Sequence, residues 1–66
     1  MKYLIRRDNW GNVSLKKGRK VLSDYSRVRD AVRGAKRHAK RIGADSFTVK
    51  TIDEMLPYVE AKTVKI

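Results

Sequence analysis

A chain of 66 residues makes one small domain, and a domain of this size buries only about 60% of the surface its unfolded chain exposes. With no cysteine, neither a disulfide nor a thiolate metal site can staple it, while a hydrophobic fraction of 41% argues against disorder. The net charge is +10, and its uneven placement, which a soluble surface does not require, favours a polyanionic partner.

That charge is lopsided. Residues 1–43 carry 14 Lys/Arg against Asp8, Asp24 and Asp30, a net of +11, whereas residues 44–66 carry three Lys against four acids, a net of −1. No apolar run approaches the roughly 18 residues of a membrane-spanning helix. The start of the chain breaks into charge at Arg6 and Arg7, too soon for a secretion signal. The expected location is inside the cell, cytoplasmic or nucleoid-associated and not secreted.

The first 23 residues read as an antiparallel meander. Residues 2–6 alternate Tyr3 and Ile5 with Lys2, Leu4 and Arg6, a first strand. Asp8 to Asn12 is a turn in which Gly11 supplies positive φ. Val13 and Leu15 alternate with Ser14 and Lys16 in a second strand, Lys17-Gly18-Arg19 turns again, and residues 20–23 make a short third strand.

Residues 26–43 form the most periodic stretch. Val28, Val32, Ala35, Ala39 and Ile42 recur at helical spacing and define an apolar stripe, while Arg29, Arg33, Lys36, Arg37, Lys40 and Arg41 occupy the opposite arc. The pattern predicts an amphipathic helix over about 27–42, N-capped by Ser26, with Tyr25 packed against its first turn and Gly43 as its left-handed stop. Gly34, in mid-helix, costs up to about 1 kcal/mol of propensity and is read as a neutral blemish or a point of close ligand approach.

Residues 46–52 alternate Phe47, Val49 and Thr51 with polar positions, a confident strand. Asp53 to Pro57 cannot continue it, since Asp53 suits a capped turn and Pro57 ends one. Residues 58–66 are a last strand with mixed faces, as expected of an edge strand or a bulged one. The fold class is α+β: a small two-layer domain in the order β-β-β-α-β-β, one amphipathic helix packed on a mostly antiparallel sheet.

Catalysis finds little support. The lone histidine, His38, borders the apolar stripe and reads as a packed residue rather than a base, and no serine has a nucleophile-elbow context. Asp53-Glu54 is the one acidic pair and suits a turn cap better than a metal or acid–base site. The chain is read as non-enzymatic, with no cofactor or metal.

The basic arc carries the functional reading. Cations on every turn present one charge per 5–6 Å or so of helix axis, comparable to phosphate spacing in a nucleic acid. The i,i+4 pairs among them repel, and Asp30 is the one acid in the segment. A second cluster, Lys16, Lys17, Arg19 and Lys20, sits at the hairpin turn, where it either grips a second backbone or protects short edge strands. Trp10 is expected to fold back over one end of the core, with base stacking or groove insertion as the alternative. Tyr3, Tyr25, Phe47 and Tyr58 are assigned to the core. Met55, Leu56 and Tyr58 flank Pro57 in an apolar run that lids the core or binds protein, including a second copy. The expected partner is duplex DNA or structured RNA, held with low sequence specificity. The alternative is an acidic surface on a transcription or proteolysis machine, engaged by a regulator or viral-type inhibitor.

Overall fold

The chain forms β1 (Lys2–Arg7), β2 (Val13–Lys17), β3 (Lys20–Tyr25), α1 (Val28–Arg41), β4 (Ser46–Asp53) and β5 (Tyr58–Lys65). The computed structural model describes every residue except Pro57 and, for Tyr58, the backbone alone. Local chemistry explains the first turn. The Asp8 carboxylate accepts the N–H groups of Trp10 (2.9 Å) and Asn12 (3.0 Å), and Gly11 takes φ +83°, a conformation closed to most L-residues.

The strands make one five-stranded sheet in the order β3-β2-β1-β4-β5. Three ladders are antiparallel, and the fourth, between the central strand β1 and β4, is parallel. β3 and β4, the strands that α1 joins, are not neighbours. They are separated by β2 and β1, so α1 carries the chain back across the middle of the sheet to start β4 beside β1. Of the two readings of the last strand, edge or bulged, the first holds: β5 ends the sheet, and its register with β4 runs unbroken from Ser46↔Lys65 to Asp53↔Tyr58. The bulge lies between β2 and β3, at Leu15/Lys16.

One face of the sheet supplies the large core residues. Tyr3, Ile5, Val13, Leu15, Phe47 and Val49 are all buried, and the Tyr3 and Phe47 rings meet edge to face with centroids 5.4 Å apart. Against them α1 presents small residues, Ala31, Ala35 and Ala39, each with no exposed surface. The predicted stripe therefore shifts. Ala31 joins it, Val28 and Val32 pack at its margin, and Ile42, beyond the last helical residue, stays 47% exposed. Bulky side chains below leave room for alanines above, since packed interiors fill volume rather than match hydrophobicity residue by residue.

The helix ends also separate expectation from outcome. The N-cap is Arg27, in extended backbone and without a side-chain capping bond, rather than Ser26. At the other end Gly43 stops the helix as expected, at φ +82°. Gly43 N–H bonds the Lys40 carbonyl and Ala44 N–H the Ala39 carbonyl, at 3.1 and 3.0 Å, which satisfies two otherwise unpaired helix carbonyls. Gly34 is no blemish: a Cβ there would fall 2.0 Å from the Tyr25 hydroxyl oxygen. The missing side chain is the space into which Tyr25 packs.

Candidate functional site

The six helix cations emerge as a continuous outer surface. Arg29, Arg33, Lys36, Arg37, Lys40 and Arg41 are all exposed, because the alanine seam beneath them faces the sheet. Among the described residues, no carboxylate lies within ion-pairing distance of any of them. Arg33, Arg37 and Arg41 succeed one another at i,i+4 along the β3 side of the helix. There they border two shallow concavities walled by Leu22, Ser23, Asp24 and Tyr25. Asp24 and Asp30 share the second of these, so the field is most purely positive toward the C-terminal end of α1.

Topology brings part of the hairpin cluster to that same end. β3 runs away from the 17–20 turn and α1 returns, so Lys40 and Arg41 finish near the end of the sheet where Lys17, Arg19 and Lys20 project. Lys16 does not join them. It sits opposite Leu4 in the β1–β2 ladder, next to buried Leu15, and side chains alternate across a sheet. Lys16 therefore faces the side that α1 leaves open. There Lys16, Leu4 and Lys50 form one row across three strands, with Lys2 on the same face. Lys2 and Lys50 are not among the cations that the sequence singles out for binding, although the alternation of β1 and β4 already assigns them a face.

At the end of β1 the positive charge is neutralised. Arg6 pairs with Glu54, donating from Nε at 2.9 Å and also from Nη2. Arg7 lies 3.4 Å from the Asp53 carboxylate, which is itself only 5% exposed and accepts the Met55 N–H at 3.0 Å. The acidic pair thus closes the turn after β4 and ties it to the end of β1. Among the described residues, no group of three or more His, Cys, Asp or Glu side chains is placed to hold a metal ion.

The remaining candidates divide. Trp10 is 84% exposed and does not cap the core, because the Asp8-centred turn projects it outward beside Arg6, Ser14 and Asp24. Met55 and Leu56 do not lid the core either: both are exposed, Leu56 at 66%, and the Arg7 guanidinium donates to the Met55 sulfur at 3.2–3.3 Å. The assignment of the Tyr58 side chain lies outside the described residues. His38 is packed, as expected, its Nδ1 2.7 Å from the Tyr3 hydroxyl. Burial pushes the Tyr3 phenol above its ordinary pKa, so it stays neutral in this contact.

No helix among the described residues is long and apolar enough to cross a membrane. No protein-family model matches the chain, and neither the curated proteins nor the solved structures contain a match to it.

Proposed function

We propose that this is a small, non-enzymatic nucleic-acid-binding protein that contacts the phosphate backbone with low sequence specificity, acting in the cytoplasm or at the nucleoid. The observation that carries the reading is the contrast between two sets of cations. Arg6 and Arg7 of β1 are matched by Asp53 and Glu54. The six cations of α1 are exposed and, among the described residues, have no such match. Like charges at i,i+4 destabilise a free helix, and a polyanion laid along the arc converts that repulsion into attraction. Lys17, Arg19 and Lys20 extend the contact at the C-terminal end of the helix, and exposed Trp10 is free to stack or wedge at a separate point.

Duplex DNA or structured RNA fits better than a single strand, because a single-strand groove normally offers several stacking rings and Trp10 stands alone among exposed aromatics of the described residues. Five to seven phosphate contacts give a slope of log affinity against log salt of about −5 to −6. The test is a titration of duplex DNA, structured RNA and single strands at two salt concentrations, with the triple variant Arg33→Glu/Arg37→Glu/Lys40→Glu alongside. Binding that vanishes in the folded triple variant supports the reading, and unchanged binding refutes it. The second reading, docking on an acidic protein surface, is favoured by exposed Met55, Leu56 and Val59 near the β4–β5 turn. A stoichiometric acidic partner that survives nuclease treatment of a lysate would select it.

A further inference from the structure

The two edges of the sheet are built differently. At one edge, β3 is six residues long and bulged against its neighbour. At the other, β5 is eight residues long and in unbroken register. It lies beyond the four strands, β3, β2, β1 and β4, over which α1 spreads its packing. Long regular edges are templates for another strand, and proteins blunt them with bulges, charge or cover.

The hydrogen-bonding phase of β5 decides what such a strand would meet. Ile66 N–H donates to the Asp45 carbonyl at 2.9 Å, so even-numbered residues of the ladder bond inward to β4. By the alternation of an antiparallel pair, Val59, Ala61, Thr63 and Lys65 turn their N–H and C=O groups toward the open edge. A second β5 pairs antiparallel with these groups when a two-fold axis passes between Ala61 and its symmetry mate. In that register Val59 faces Thr63 of the other copy, β-branched against β-branched. Glu60 faces Lys62, twice, in non-hydrogen-bonded pairs where side chains approach most closely. A shift of the axis to the neighbouring outward positions shortens the pairing and loses both charge matches.

We infer that the β5 edge is a homodimerisation surface, paired antiparallel about Ala61 into a ten-stranded sheet. The contact is isologous, each half being the same patch. Lys62, which would repel most incoming strands, is matched by the Glu60 of this one. The axis stands perpendicular to the sheet, so both α1 helices lie on the same face. With both cationic arcs on one side, the dimer doubles the phosphate contacts of the proposed nucleic-acid binding, while the strand pairing itself does not rest on that reading.

The test is sedimentation equilibrium in nucleic-acid-free buffer, so that its failure is separable from failure of nucleic-acid binding. Loading spans about 10 µM to 1 mM, as suits a small edge-to-edge interface. The mass should rise from 7.6 kDa toward twice that value. Ala61→Pro removes an outward N–H, a change edge strands tolerate, and should hold the mass at monomer with an unchanged circular dichroism spectrum. Lys62→Glu should likewise be monomeric, and the exchange Glu60→Lys/Lys62→Glu should restore the dimer. A wild type that stays monomeric throughout, or a dimer indifferent to both Lys62→Glu and the exchange, overturns the inference. Should Ala61→Pro fail to fold, the charge exchange decides alone.

Discussion

Replacing Gly34 by alanine tests the packing of the helix against β3 most directly. On propensity alone, Gly34→Ala should stabilise the protein by about 1 kcal/mol, since glycine is the poorest ordinary residue in a helix interior. The new Cβ would sit 2.0 Å from the Tyr25 hydroxyl oxygen and 2.6 Å from the ring carbon that bears it. The helix cannot yield, because Ala31 and Ala35 on the adjoining turns are wedged against the sheet without exposed surface. Tyr25 must therefore leave. Its ring is half-buried, and full burial of a large apolar side chain is worth about 1.5–3 kcal/mol, so displacement costs about 1–2 kcal/mol. The single change then destabilises by up to about 1 kcal/mol, a fall in Tm of roughly 4–8 °C at the upper limit for a domain this small. In a Tyr25→Ala background nothing obstructs the methyl group, and the same substitution should stabilise by the full 1 kcal/mol or so. Urea and thermal unfolding of the four proteins, followed by circular dichroism, give the coupling as their double difference. If Gly34→Ala raises stability equally in both backgrounds, Tyr25 does not occupy the space assigned to it.

Two further outcomes follow from charge and burial. The Tyr3 phenol has its pKa raised above 10.0 by burial, so the folded state holds this proton more tightly than the unfolded one. Its contribution is therefore complete below pH 10 and is lost as pH rises from there through the folded pKa; the alkaline loss should be smaller in Tyr3→Phe, and identical pH–stability curves above pH 10 would contradict this. Added salt should stabilise the protein, because Arg29/Arg33, Arg33/Arg37, Lys36/Lys40 and Arg37/Arg41 each repel by a few tenths of a kcal/mol and exposed pairs are screened. A gain of about 1 kcal/mol between 10 mM and 0.5 M sodium chloride is expected from those four pairs, and urea midpoints independent of salt would show that the arc carries no such strain.

Much of the fold was written in local patterns. The alternation of Phe47, Val49 and Thr51, the glycines at 11, 18 and 43, and the periodicity of residues 28–39 each act within a few residues, so they can be read without a partner. What escaped depends on residues distant in the chain. Nothing near Gly34 announces that Tyr25 will return over it, and Ala31 enters the stripe because Tyr3, Ile5 and Phe47 fill the volume opposite. Trp10 is apolar enough for a core position, yet Asp8 organises the turn so that it projects outward. The candidate interface was legible as far as one helix extends, since its six cations share an arc by periodicity alone. The separation of Lys16 from Lys17, Arg19 and Lys20 follows from the alternation of β2 once α1 is seated on its Val13/Leu15 face, and the neutralisation of Arg6 and Arg7 needed Glu54 and Asp53, at the end of β4 and in the turn after it, more than forty residues away.

The alanine seam of α1 has a consequence for how this protein can change. Ala31, Ala35 and Ala39 are the buried residues of the helix, and none of the outward positions shares in that contact. Sequence on the outer arc can therefore be rewritten, in evolution or at the bench, largely without negotiating with the core. Neutral, acidic or aromatic versions of the arc should fold on the same sheet, which makes this chain a scaffold whose helix surface can be exchanged as one cassette.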